Sequence, residues 1–172
     1  MKKHIGGAPS TRGITLIELL VVLALVGLLT AIAVPAMTQH WRKARRLDAV
    51  TALARIQMAQ EQFRNGHAQY ADGFISSSGH PDGMLVRMAD AAEASRVTEV
   101  RSTDGHYRLS VVAADRQGYQ LAATAQGSQA GDTACAVLLL KLDDGMAVYL
   151  SGDGASVVND ESSLANRRCW NR

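Results

Sequence analysis

The sequence predicts an α+β protein in which one long N-terminal helix is laid on a four-stranded antiparallel sheet. Three patterns in the 172 residues carry that prediction. Residues 14–36 form a long apolar run whose only charge is Glu18. Residues 47–63 repeat apolar side chains at helical spacing, and residues 106–151 alternate apolar with polar side chains between turn signals.

As a helix, the 23 residues of 14–36 extend about 34 Å, enough to cross a hydrocarbon core of about 30 Å. A carboxylate at bilayer depth costs roughly 2.5–3.5 kcal/mol on insertion scales and less near the surface, so Glu18 calls for a partner. The plainer reading is a carboxylate in a first helical turn, where the macrodipole favours it. A secretory signal is the main competitor, with Lys2 and Lys3 as its basic region and Ala31-Ile32-Ala33 imitating a cleavage site. The run is too long for an ordinary signal core, and Glu18 lies inside it.

The basic leader, Gly13, the segment Ile14-Thr15-Leu16-Ile17-Glu18 and the apolar helix together resemble the prepilin signature of type IV pilins and pseudopilins. That resemblance implies a type IV pilin fold and a prepilin peptidase that cuts after Gly13 and methylates the new terminus at Ile14. The family usually has Phe there, and Ile14 departs from it. The resemblance also implies a cytoplasmic leader, a single inner-membrane helix and a periplasmic remainder that later joins an extracellular pilus. Basic residues alone do not set this orientation, because Lys2, Lys3 and Arg12 before the helix face Arg42, Lys43, Arg45 and Arg46 after it. In such a filament Glu18 pairs with the amino terminus of a neighbouring subunit, and Glu18 and Pro35 are the assembly residues.

Removing 13 of the 172 residues leaves 159, one modest domain plus a protruding helix. Losing Lys2, Lys3 and Arg12 takes the formal charge from +2 to −1, so the mature chain is not basic overall. Cys135 and Cys169 fall in the part expected to be periplasmic, an oxidising compartment, which favours a disulfide over two unlinked buried thiols.

The helix is expected to continue past the membrane. Pro35 lacks an N–H and clashes with the preceding turn, which predicts a kink or local opening. Beyond it, Ala49, Ala52, Leu53, Ile56, Ala59 and Phe63 fall on one face, while Leu47, Val50, Ala54 and Met58 form a second stripe. One stripe suffices for the sheet, so the second implies another partner, as in helices bundled at a filament centre. Asn65-Gly66 supplies the stop. Residues 67–105 read as a variable connecting loop, with Ser76-Ser77-Ser78-Gly79-His80-Pro81-Asp82-Gly83 as its centre and a short helix over 88–94.

Strand patterning begins at His106. Tyr107, Leu109, Val111 and Ala113 alternate with Arg108, Ser110 and Val112, and Asp115-Arg116-Gln117-Gly118 makes the turn. Tyr119, Leu121, Ala123 and Ala125 alternate again; residues 134–142 form a third strand, and Asp144-Gly145 signals a hairpin into 146–151. The organisation is thus a leader (1–13), a transmembrane and filament-core helix (14–37), an amphipathic half (38–66), a loop (67–105), and a sheet with a disulfide-bounded C-terminal region (106–172).

Arg45-Arg46-Leu47-Asp48-Ala49, Gln60-Glu61-Gln62-Phe63, Tyr70, Tyr119-Gln120-Leu121, Gly127-Ser128-Gln129-Ala130-Gly131-Asp132 with Cys135, and the Cys169-Trp170 ending are similar to PilE-type minor pilins. The implied function is a structural subunit of a type IV pilus serving motility, adhesion or DNA uptake. The alternatives are a DNA- or ligand-binding competence pilin and a type II secretion pseudopilin. The implied partners are other pilin subunits, inner-membrane assembly machinery, the prepilin peptidase, and membrane lipid before assembly.

No enzyme is expected. The chain has no Gly-x-Ser-x-Gly elbow, no His-Glu-x-x-His and no Walker loop. His4, His40, His67, His80 and His106 lack ligand spacing, and Asp143, Asp144, Asp153, Asp160 and Glu161 do not match an EF-hand, so no metal or other cofactor is expected. The tail offers one binding candidate. Arg167, Arg168 and Arg172 with Trp170 could pair with phosphates and stack on a base of DNA. The plainer reading has Trp170 covering the sheet.

Overall fold

The computed structural model describes residues 13–75, 87–90, 92, 94–154, 157–158 and 162–170. The leader with Lys2, Lys3, His4 and Arg12, the loop 76–83 with His80, and Asp160, Glu161 and Arg172 lie outside the described residues. The chain divides into two compact units, Met1–Thr38 and Gln39–Arg172. Helix α1 (Leu16–Arg64) contributes its first half to one and its second half to the other.

In the first unit, Thr15 Oγ1 accepts from the Glu18 backbone N–H at 3.3 Å. The Thr-x-x-Glu spacing is that of a capping box, and it starts the helix where the apolar run begins. The chain stays helical through Pro35, so the expected local opening does not occur. The missing N–H removes one i→i−4 bond, and the turns on either side keep the rest. Every described side chain over 13–34 is exposed.

In the second unit the first stripe is buried as expected. Ala49, Ala52, Leu53 and Ile56 are at most 1% exposed, and Ala59 and Phe63 pack against the same core. In the second stripe Leu47, Ala54 and Met58 are exposed, whereas Val50 packs on the core. The helix ends at Arg64, and the Gly66 N–H bonds the Phe63 carbonyl at 3.1 Å.

The connecting segment departs most from expectation. Strands β1 (Gly73–Ile75), β2 (Arg87–Ala89) and β3 (Arg96–Val97) form a small antiparallel sheet in the order β2-β1-β3. No helix spans 88–94. Met88 and Ala89 are buried in β2, paired with Phe74 and Gly73. A partner strand some fifteen residues away in the chain (Cα pairs 74–88 and 73–89) outweighs local preference in so short a segment.

Six strands, rather than four, make the main sheet: β4 (Glu99–Arg101), β5 (Tyr107–Ala114), β6 (Gly118–Ala125), β7 (Val137–Asp143), β8 (Met146–Gly152) and β9 (Val157–Val158), in chain order and antiparallel throughout. The four expected strands are the central ones. The two edge strands have three and two residues, too short to show a period of two. β7 starts at Val137 rather than at 134 because Thr133–Cys135 forms a 3₁₀ turn. Asp144 (φ 45°) and Gly145 (φ 82°) adopt the left-handed conformations that a two-residue hairpin requires. At the other turn Asp115 Oδ1 accepts from the Gln117 and Gly118 N–H groups at 2.7 and 2.9 Å, which holds its carboxyl below the usual range. Tyr107, Leu109, Leu121, Leu138 and Leu140 meet the helix stripe in one core. A short helix α2 (Leu164–Cys169), capped by Ser163 Oγ accepting from the Asn166 N–H, closes the described chain.

Candidate functional site

Two regions hold the residues singled out in the sequence. In the first unit Gly13 and Ile14 precede the helix, and Ile14 is 77% exposed. Glu18 is exposed in the first turn, its backbone held by Thr15.

The second region is the end of the folded domain where α1, the 127–135 segment and α2 converge. Cys135 and Cys169 form a disulfide with their Cα atoms 5.5 Å apart. Arg46 projects from α1 and grips Asp132 through two hydrogen bonds, Nε to Oδ2 at 2.7 Å and Nη2 to Oδ1 at 2.8 Å. Its Nη1 donates to the Arg168 carbonyl at 3.0 Å. The two side chains are only 13% and 8% exposed, so this bidentate pair is worth more than a surface salt bridge. The amide nitrogen of Gln129, fully buried, lies within hydrogen-bond reach of the Arg42 carbonyl, the Tyr107 hydroxyl and Asp132, which share its two N–H groups. Burial pushes the Tyr107 phenol up to about 12, with the Gln129 hydrogen bond acting in the opposite sense. Gly131 lies against Arg42, whose Nη2 would be 2.6 Å from a Cβ built there. The run Gly127-Ser128-Gln129-Ala130-Gly131-Asp132, matched to minor pilins by sequence, is therefore the segment that docks on the helix.

Two further polar anchors were not foreseen. Asp48 on α1 accepts from Ser102 Oγ at 2.6 Å and from the Asp104 and His106 N–H groups at 3.2 and 3.3 Å. Gln60 exchanges two hydrogen bonds with the Ala71 backbone, at 2.8 and 2.9 Å, and so acts as a strand partner in side-chain form. The available signal was a polar residue on or beside a buried helical stripe, since Asp48 adjoins Ala49 and Gln60 adjoins Ala59.

The tail is resolved differently for each residue. Trp170 is 5% exposed, its indole N–H bonds the Leu150 carbonyl at 2.9 Å, and its ring meets Tyr149 edge-on. It covers the sheet and is not free to stack on a base, which corrects its inclusion with the arginines. Arg167 and Arg168 are exposed in the last turn of α2, where the helix dipole favours cations. Together with Arg42, Lys43 and Arg45 they make this end of the domain cationic. No metal-binding group of three or more His, Cys, Asp or Glu side chains occurs among the described residues.

Comparison with known proteins places the chain in a family. A model of the prokaryotic N-terminal methylation motif matches residues 9–34. The family model described as type IV minor pilin ComP, DNA uptake sequence receptor, matches residues 35–139. The type IV major pilin protein PilA of Myxococcus xanthus (strain DK1622) is 35% identical over 86 residues, covering 47% of this chain. The chain spans about two-fifths of that relative's length, 39%. With the methylation motif ahead of an apolar helix and the ComP model covering most of the domain behind it, the chain belongs to the type IV minor pilin family represented by ComP.

Proposed function

We propose that the chain is a membrane-anchored precursor that becomes a structural, minor subunit of a type IV pilus. The observation that carries this is the first half of α1, whose described side chains over 13–34 are all exposed although nearly all are apolar. Such a surface needs lipid before assembly and neighbouring helices afterwards. Residues 1–13 serve as the leader, the peptidase cuts after Gly13, and Ile14 carries the methylated amine. Segment 14–37 crosses the inner membrane with the domain in the periplasm, and assembly machinery moves the subunit into an extracellular filament. There Glu18 meets the amino group of a neighbour, an attraction that low dielectric strengthens and desolvation partly offsets. Mass spectrometry of the mature protein should find N-methylated Ile14 at its start, and an amino terminus near Val34 would refute the reading. Glu18→Val should insert in the membrane but be largely missing from sheared pili; normal incorporation would remove the pairing role.

A second reading, DNA capture, is supported by the description of the family model as a DNA uptake sequence receptor. Arg167 and Arg168, with Arg172 beyond the described residues, are the candidates for phosphate contact. Full-length protein in detergent should bind duplex DNA at low salt and lose it steeply as salt rises. Replacing the three arginines with Ala should weaken binding about uniformly across sequences; unchanged binding would place the contact elsewhere.

A further inference from the structure

We propose that Trp41, Arg42, Lys43, Arg45, Arg167 and Arg168 bind the headgroups of anionic phospholipids while the helix is still in a bilayer. The proposal rests on the membrane-anchor reading and adds a specific surface to it. Trp41 follows Met37, the end of the apolar run, by four residues, and Arg45 by eight, about 12 Å of helix. Trp41, about 6 Å beyond Met37, falls at headgroup depth, and the long Arg45 side chain can reach back toward it. Trp41 is 53% exposed, and an indole with one apolar and one polar edge is characteristic of the membrane–water boundary.

The charges around it are left open. Among the described residues, the side chains of Arg42, Lys43, Arg167 and Arg168 make no hydrogen bond or ion pair, and Arg45 bonds only Ser128 Oγ at 2.8 Å. The adjacent carboxylate, Asp132, is consumed by Arg46. Elsewhere in the domain Arg96, Arg108 and Lys141 each hold a carboxylate. Arg55, Arg64, Arg87, Arg101 and Arg116 also lack an ion pair among the described residues, but they are spread over α1, β2, β4 and the turn between β5 and β6. Arg167 and Arg168 are remote in sequence and come to this end through the Cys135–Cys169 disulfide and the Arg46 bond to the Arg168 carbonyl. Guanidinium groups suit a phosphodiester, and a basic cluster beside a membrane span is drawn to anionic lipid. Charge alone would serve nucleic acid equally well; Trp41 and the continuity with the apolar run select lipid.

The test uses the full chain in vesicles of phosphatidylcholine, alone or mixed equally with phosphatidylglycerol, doped with spin-labelled versions of either lipid. The protein should float with both vesicles, and labelled phosphatidylglycerol should be immobilised about fivefold more than labelled phosphatidylcholine. Arg167→Gln with Arg168→Gln should lower that selectivity, Lys at both positions should keep it, and adding Arg42→Gln, Lys43→Gln and Arg45→Gln should bring it to unity. Equal immobilisation of the two lipids by the unmodified chain overturns the proposal, whether or not the same protein binds an oligonucleotide. Selectivity untouched by the Arg167/Arg168 pair overturns it too, leaving only charge next to the span. Failure to float with either vesicle overturns the membrane-anchor reading, and this proposal with it.

Discussion

Leu23 and Leu53 lie on the same helix, yet Leu23 is 59% exposed and Leu53 is 1% exposed. Both halves of α1 are rich in apolar residues, and what separates them is where the partner comes from. The second half is covered by its own sheet, so its apolar side chains concentrate on one stripe and its other faces carry Arg, Lys and Gln. The first half has apolar residues all round, because no surface within its own unit covers it. A helix that is apolar on every side needs a surrounding solvent or bundle, and one that is apolar on a stripe needs a single neighbour. Leu47 and Met58, 62% and 60% exposed, carry some of the first kind of surface into the second half.

Experiments can sharpen that contrast. The largest effect should come from the disulfide, which constrains only the second unit. Replacing Cys135 and Cys169 with Ser opens a separation of 34 residues and should cost about 4 kcal/mol of domain stability, read by thermal or denaturant unfolding. Helicity of the first half in lipid should be unchanged. Leu53→Ala should cost about 3 kcal/mol, while Leu23→Ala should leave unfolding of the domain where it was. Equal effects at the two positions would break the division between the halves.

Alkaline pH should act on the second unit, which holds the buried phenols. The Tyr107 phenol, held up to about 12 by burial, has a raised folded-state value against an ordinary 10.0. Its contribution is therefore complete below pH 10 and is lost as pH rises through about 12. Tyr119 is raised in the same direction, mainly by burial. Melting temperature should fall across that window, and Tyr107→Phe should flatten part of the fall. The smallest change in stability should follow Met58→Ala, within about 0.5 kcal/mol. Its effect should instead show in filaments, as reduced incorporation into sheared pili. A marked loss of folding stability would show that Met58 belongs to the core.

Much of this architecture was legible in the residues. The apolar run, the buried stripe, the Asp144-Gly145 hairpin and the four central strands each rest on local periodicity or turn chemistry, which act over a few neighbouring residues. Strands β1, β2, β3, β4 and β9 escaped that reading. With two or three residues each they have no period, and they exist because a partner strand supplies the hydrogen bonds. Trp170 shows the same limit at the site. Its neighbours left two readings open, a cationic platform and the plainer one of cover for the sheet, and the Leu150 carbonyl and Tyr149, about twenty residues earlier, decide for the second.

By itself the sequence determined the long apolar helix and the N-terminal methylation motif. Membrane-length apolarity, Gly13, Ile14 and Glu18 are one-dimensional features, since crossing a bilayer depends on consecutive residues and a peptidase reads a short segment. Tertiary structure alone decided which charges are spent and which remain available. Arg45 and Arg46 are neighbours in the chain. One turns inward to Asp132 and the Arg168 carbonyl, and the other outward to Ser128. Asp132 lies 86 residues from Arg46 in the chain, and the separation of those two fates is set by which side chains the fold brings within hydrogen-bond reach.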